Sequence, residues 1–150
     1  MKITICGSMK FNSEMVELQK KLEALGHQVH MPIAVTGLDY WAQDGVKRIK
    51  DKKGLRLVET HLDKITESDA ILVANYTKGD TKNYIGANTF LEMGYAKYKG
   101  KKIFVLNPLP DHKYIYEELT SFEGMILNVD KILVRVYNRK IIKSHRFLAF

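Results

Sequence analysis

Five short apolar segments, separated by helical patterns, constrain the fold of this 150-residue chain more than any other feature. They cover residues 3–6, 29–31, 70–75, 103–106 and 132–136, and turn-forming or charged residues bound them. Short continuous runs rich in Val and Ile are typical of parallel strands that are buried on both faces. The segments therefore predict a five-stranded parallel sheet.

Helical patterns lie between these segments. The first has apolar residues at positions 15, 18, 22 and 25, with Asn12 or Ser13 as its expected N-cap and Gly26 just beyond its end. A second has an apolar stripe at positions 57, 62 and 65, a third passes through Phe90 and Met93 to Gly100, and a fourth covers 114–119. Strands that alternate with helices predict the α/β class, with a doubly wound, flavodoxin- or Rossmann-like sheet and helices on both faces.

Basic residues are concentrated near the C-terminal end. The net charge is +7, and residues 131–150 contain six basic residues and no acidic ones, whereas the other 130 residues contain 18 basic and 17 acidic. We therefore divide the chain into an α/β domain over 1–130 and a last strand with a basic tail over 131–150. Such a tail can attract nucleic acid, but it lacks the aromatic interleaving of a single-strand binder, and a solvated terminal element is the alternative interpretation.

Cys6 is the only cysteine, so the chain cannot form an internal disulfide. No apolar run approaches the roughly 20 residues of a membrane span, and residues 1–7 are too soon interrupted for a signal peptide. These features predict a cytoplasmic protein without membrane contact. One cysteine and five dispersed histidines give no metal-ligand spacing, and no nucleotide-binding glycine motif is present, so neither a metal nor a cofactor is expected.

Ligands of open parallel sheets bind at the carboxyl ends of the strands. The first strand is predicted to end in Cys6, Gly7, Ser8 and Met9, where a small residue and a hydroxyl can bring N–H groups to a phosphate or sugar. A tight turn is the alternative interpretation. The irregular stretch 36–54, which contains Tyr40 and a basic run over 47–53, predicts a loop and a polar helix that cover the site, although a simple solvated helix fits equally well.

The loop after the third strand, 76–87, is long for its type and contains Asn83 and Gly86. Asn88 or Thr89 is expected to cap the following helix, whose start favours an anion. Glu92 follows among apolar neighbours, an environment that suits a nucleophile or general base. A solvent-facing Glu92 is the alternative.

Two further observations concern the neighbouring turns. Gly94 is expected to mark a close packing contact, because glycine costs helix stability. His61 and Asp63 lie on the helix before the third strand and are possible site members. A structural role for a lone histidine is the alternative interpretation.

Several segments together resemble the nucleoside 2-deoxyribosyltransferase superfamily, which includes the 2'-deoxynucleoside 5'-monophosphate N-hydrolases. They are ICGSM at 5–9, SDAILV at 68–73, NYIG at 83–86, EMGYA at 92–96 and GKKIF at 100–104. The likeness extends over about residues 2–130 and excludes the basic tail.

The resemblance implies that Glu92 attacks the anomeric carbon and forms a glycosyl-enzyme intermediate, which water or a second base resolves. It implies that the first-strand loop and the loop before the glutamate helix bind the substrate, and that a serine of a neighbouring subunit, here Ser121, completes the site of a homodimer or higher oligomer. The full substrate-binding set expected is Cys6, Gly7, Ser8, Met9, Tyr40, Asn83, Gly86, Asn88 and Ser121.

One position departs from the family pattern. The monophosphate hydrolases have an aspartate on the helix before the third strand, and His61 occupies that register here, whereas Asp63 faces elsewhere. A histidine can donate a proton to a leaving base near neutral pH. Three functions remain open: cleavage or exchange of an N-glycosidic bond, nucleotide sensing without catalysis, and nucleic-acid association through 131–150.

Overall fold

The structure is a computed structural model that describes residues 1–41 and 45–128. Within these residues, the elements follow in the order β1 (Lys2–Gly7), a 3₁₀ turn (Met9–Phe11), α1 (Asn12–Ala24), β2 (Gln28–His30), α2 (Val46–Gly54), α3 (Leu57–Glu67), β3 (Ala70–Ala74), α4 (Ala87–Tyr98), β4 (Lys102–Val105), α5 (Tyr116–Ser121) and β5 (Met125–Ile126). None of the described helices is long and apolar enough to cross a membrane.

The five strands form one parallel sheet in the order β2-β1-β3-β4-β5. Ile3 pairs with Ala70, and Val73 pairs with Val105, so the strand ends are aligned along the sheet. This order is flavodoxin-like, and the chain changes direction across the sheet between β1 and β3. The predicted α/β fold is therefore confirmed, and it places a candidate site at the carboxyl ends of β1 and β3.

The fifth strand of the described sheet lies at a segment where the sequence predicts none. β5 contains only Met125 and Ile126, both exposed, and it pairs with β4. A two-residue exposed strand has no apolar run that could predict it. The predicted strand at 132–136 and the basic tail of 131–150 lie outside the described residues.

Alternating side chains of the strands supply two cores. On one face Ile3, Ile5, Leu72 and Ala74 pack with α1, and on the other a second set packs against α3, α4 and α5. That second set consists of Cys6, Ile71, Val73, Ile103 and Val105. Helices thus cover both faces, as predicted, and the alternation in β1 points Cys6 toward α3 and α4.

Both predicted N-caps are wrong. The cap of α1 is Phe11, because the 3₁₀ turn precedes the helix and Ser8 caps that turn by accepting from the Lys10 N–H at 3.4 Å. The cap of α4 is Gly86, because its carbonyl already accepts from the Phe90 N–H at 2.9 Å. Asn88 is therefore inside α4, and Glu92 lies in the second turn.

Candidate active site

The carboxyl end of β1 requires a glycine. A Cβ atom on Gly7 would lie 3.0 Å from the Met15 sulfur and 3.2 Å from the Ala74 carbonyl oxygen. Gly7 thus allows α1 and β3 to approach the end of β1, and the chain then turns through Ser8. The tight turn and the ligand-binding loop are compatible interpretations of these residues.

A cleft of about 430 Å³ opens at this edge of the sheet, between the first loop, the segment before α2, and the starts of α3 and α4. Most of the predicted site residues line it, namely Gly7, Ser8, Met9, Tyr40, His61, Gly86, Asn88 and Glu92. Cys6 is fully buried against two of these residues and does not line the cleft itself. Asn83 and Ser121 are not among the lining residues.

Glu92 lies where the buried face of α4 meets the cleft. The helix buries Thr89, Met93 and Ala96 against the sheet, and Glu92 shares their face one turn after Thr89. Its side chain is only 16% exposed, and Oε2 has no hydrogen-bond partner in the described part of the chain. Burial raises the pKa of Glu92 to about 7, although the Cys6 hydrogen bond and the Lys52 charge oppose the rise. The solvent-facing alternative is therefore wrong.

His61 is the buried neighbour of Glu92. Its Nε2 lies 3.7 Å from Glu92 Oε1. Burial lowers the pKa of His61 to about 4, and the charge of Lys64 adds to this effect. The imidazole is therefore neutral at pH 7, and the contact is not an ion pair, although its distance would allow one. A neutral His61 carries no imidazolium proton, and its expected role in protonating a leaving base stays a prediction.

Cys6 completes a cluster that sequence spacing did not reveal. Its Sγ lies 3.6 Å from His61 Nε2, and the ligand-type atoms of Cys6, His61 and Glu92 all lie within 4.8 Å of one another. Burial and the nearby Glu92 carboxylate raise the pKa of the thiol well above its usual value. The expectation of no ligand cluster was wrong, because these residues are 55 and 31 positions apart and meet only through the sheet register.

A cationic lining is the second feature that the sequence did not assign to the site. The cleft is lined by four basic residues, Lys10, Arg48, Lys52 and Lys78. Glu92 is the one acidic residue among its described lining residues. The predicted polar helix is α2, and it carries Arg48 and Lys52 to the cleft although none of its residues is buried. A run of basic residues signals such a helix, but it does not show which of its side chains reach a cleft.

Tyr84 is held at the start of α4. The preceding loop folds back through paired hydrogen bonds between Lys78 and Thr81, and Lys78 Nζ lies 4.2 Å above the Tyr84 ring. A Cβ atom on Gly86 would lie 2.8 Å from the Tyr84 hydroxyl. The glycine therefore lets Tyr84 pack directly over the helix N-terminus, beside the cleft.

The remaining predicted residues lie apart from the cleft. Asn83 has a left-handed backbone, with φ 52°, and its N–H donates to the Thr77 hydroxyl at 3.4 Å. Asp63 is exposed on α3, as its register predicted. Ser121 is exposed on α5, and its hydroxyl donates to the Glu118 carbonyl at 2.8 Å. Its expected role at a neighbouring subunit's site stays a prediction.

Fold and cleft together define a flavodoxin-like α/β domain with a buried carboxyl group at the switch point of its sheet. No protein-family model matches the sequence, and no curated protein matches it. In structure the chain is similar to a 2-deoxyribosyltransferase of Bacillus psychrosaccharolyticus, with 16% identity, a TM-score of 0.48, and 72% of this chain and 73% of that chain covered. It is also similar to a CMP N-glycosidase of Clostridium botulinum, with 16% identity, a TM-score of 0.49, and coverages of 84% and 85%.

Proposed function

We propose that this protein cleaves or transfers the N-glycosidic bond of a nucleoside 5'-monophosphate, with Glu92 as the attacking group. The observation that carries the proposal is the position of Glu92. Its side chain is nearly buried, it lines the cleft, and its Oε2 has no hydrogen-bond partner among the described residues. An oxygen held in this way is free to bond to a carbon in the cleft.

The proposed reaction has two steps. In the first, Glu92 Oε2 attacks the anomeric carbon from one side while the carbon–nitrogen bond breaks on the other. The base leaves with the bonding electrons and takes up a proton from water in the cleft. In the second step, water attacks the anomeric carbon of the glycosyl ester and gives its proton to the hydroxide left by the first step, which releases the sugar phosphate and restores the carboxylate. A second base in place of water makes the reaction a transfer.

Charge supports an anionic substrate. The described lining residues include four cationic side chains and one carboxyl group, which burial keeps partly protonated at neutral pH. The N-terminus of α4, beginning at Ala87 beside Tyr84, adds the positive end of a helix dipole. A nucleoside 5'-monophosphate fits this cleft better than a neutral nucleoside, because its phosphate matches the positive lining.

The test is a turnover assay on a panel of deoxy- and ribonucleosides and their 5'-monophosphates, with a chelator present and with or without an acceptor base. We expect base release from at least one monophosphate, and a loss of at least about a thousandfold in Glu92→Gln. Glu67→Gln is the matched control, since Glu67 is an exposed carboxylate at the far end of α3. It should keep full activity.

Two results would contradict the proposal. One is no turnover of any substrate by a folded protein, and the other is equal turnover by wild type and Glu92→Gln. A nucleotide that raises the melting temperature of both proteins equally, with no product formed, would support the alternative of a nucleotide-sensing module.

A further inference from the structure

Cys6, His61 and Glu92 bring one sulfur, one nitrogen and one oxygen to a single point at the base of the cleft. The Cys6 Sγ lies 3.6 Å from His61 Nε2, and that nitrogen lies 3.7 Å from Glu92 Oε1. All three ligand-type atoms are within 4.8 Å of one another. The three residues come from β1, α3 and α4, so the fold itself fixes their separation.

Two of these separations are close to those of a tetrahedral zinc site. Zinc binds sulfur at about 2.3 Å and nitrogen or oxygen at about 2.0–2.2 Å, which places neighbouring tetrahedral ligands about 3.3–3.6 Å apart. The sulfur–nitrogen distance of 3.6 Å falls in this range, the nitrogen–oxygen distance of 3.7 Å lies just above it, and the sulfur and the carboxylate oxygen lie within 4.8 Å of each other. Binding of an ion by all three residues requires the Glu92 carboxylate, whose Oε2 has no hydrogen-bond partner among the described residues, to turn toward the sulfur.

We propose that Cys6, His61 and Glu92 form a binding site for one zinc ion, with the fourth coordination position open to the cleft. A mixed sulfur, imidazole and carboxylate set selects zinc over magnesium or calcium, which prefer oxygen ligands alone. On binding, the Cys6 thiol loses its proton to solvent, His61 donates the Nε2 lone pair, and Glu92 binds as the carboxylate. Water occupies the open position.

Access and burial also fit the proposal. Cys6 is fully buried, whereas His61 and Glu92 line the cleft, so an ion reaches the sulfur past these two side chains. A hydrogen-bonded trio without metal is a weaker explanation of the same contacts. A thiol is a weak hydrogen-bonding group, and the trio without metal still leaves the buried Glu92 Oε2 without a partner in the part of the chain described.

The inference extends the proposed function, because the metal would hold the group proposed to attack the substrate. A zinc ion on Glu92 takes its electron pair and puts a cation where the anomeric carbon must come. The metal-loaded protein is then inactive, and removal of zinc restores its activity.

The experiment measures metal binding directly and needs no turnover. Protein freed of metal by a chelator is dialysed and titrated with cobalt(II), which reports a thiolate ligand by a charge-transfer band in the near ultraviolet. We expect one equivalent of cobalt, the intense visible absorption of a tetrahedral site, and displacement of both signals by zinc. Because Cys6 is the only cysteine in the chain, any thiolate band belongs to it.

Variants identify the ligands. His61→Gln should weaken cobalt binding by at least about a hundredfold, and Cys6→Ser should lose the thiolate band. His27→Gln is the matched control, because His27 precedes β2 at the opposite edge of the sheet and should bind as wild type does. Circular dichroism checks that each variant is folded.

The wild-type spectrum decides the matter even if a variant fails to fold. Stoichiometric cobalt without a thiolate band, or no binding at all, overturns the proposal, as does loss of the site in His27→Gln. Failure of the proposed function leaves this measurement unaffected, since the turnover assay is run with chelator and the titration without substrate.

Discussion

Gly86, the N-cap of α4, and Gly94, within the helix, differ in the space around them. Gly86 has no room for a Cβ atom, because the Tyr84 hydroxyl would lie only 2.8 Å away. Gly94 has room, since a Cβ there would meet the Phe122 ring at an ordinary 3.7 Å. Phe122 thus packs against this turn, but the contact does not require a glycine, contrary to what the sequence suggested.

Substitution by alanine should therefore raise stability at Gly94 and disturb the site at Gly86. Gly94→Ala should stabilise the protein by up to about 1 kcal/mol, because alanine favours the helix and nothing blocks it. Gly86→Ala should displace Tyr84 and lower kcat/KM by roughly tenfold or more. Urea denaturation and steady-state kinetics on the two variants check this. A Gly94→Ala protein less stable than wild type would show that the added methyl group clashes with the Phe122 ring.

At the scale of single elements, α2 connects the charge pattern of the sequence to the cleft. The helix has no buried residue, yet it carries Lys52 close enough to Glu92 to oppose the rise of that carboxyl pKa. Lys52→Gln should therefore weaken turnover of a nucleoside 5'-monophosphate by about 10- to 100-fold, since a hydrogen bond to a charged group contributes roughly 1.5–3 kcal/mol. A neutral nucleoside should be affected less.

Lys20→Gln is the control for this prediction. Lys20 is an exposed residue of α1 that pairs with Glu17 at 2.7 Å, so its removal changes the net charge without touching the cleft. Steady-state kinetics on both substrates, at two ionic strengths, separates a local contact from a general effect of charge. Equal losses in Lys20→Gln and Lys52→Gln would contradict a local role for α2.

The elements also show what the sequence could predict. β1, β3 and β4 were predictable because each combines an apolar run with clear boundaries, and α3 because its apolar residues recur at helical spacing. β5 was not, since its two exposed residues gain their strand geometry only from pairing with β4. The N-cap of α4 was misplaced because a preceding glycine, which caps without a side chain, left no signal in the residue types.

The site was predictable one residue at a time but not as a cluster. Glu92 stood out because a carboxylate among apolar neighbours is unusual. Its contact with His61 depends on how α3 and α4 pack on the same face of the sheet, and its contact with Cys6 depends on the alternation of β1. Such contacts follow from strand order and register, which no local pattern encodes.

At the scale of the whole molecule, the buried pair couples stability to pH in two opposing ways. Folding raises the pKa of Glu92 from 4.5 to about 7, so its contribution is full below pH 4.5 and is lost as the pH rises toward 7. Folding lowers the pKa of His61 from 6.5 to about 4, so its contribution is full above pH 6.5 and is lost as the pH falls toward 4. Each shift corresponds to roughly 3 kcal/mol.

Between pH 4.5 and 6.5 the two effects should largely cancel in the wild type. Glu92→Gln keeps only the histidine, so its free energy of unfolding, taken relative to wild type, should increase with pH across this range. His61→Gln keeps only the carboxyl group and should show the opposite trend. Urea denaturation at several pH values, with chelator present and Glu67→Gln as reference, measures both slopes. Parallel profiles for all three variants would contradict burial as the cause of the shifts.

Covalent attack by Glu92 is the central claim, and the mass of the protein during turnover tests it most directly. Protein mixed with an active 5'-monophosphate, without an acceptor, is quenched in acid within the first turnover. Intact-protein and peptide masses are then measured. We predict the added mass of one sugar phosphate less one water on the peptide that contains Glu92, and no added mass in Glu92→Gln. Adduct on a different residue, or turnover by Glu92→Gln at the wild-type rate, would contradict the account.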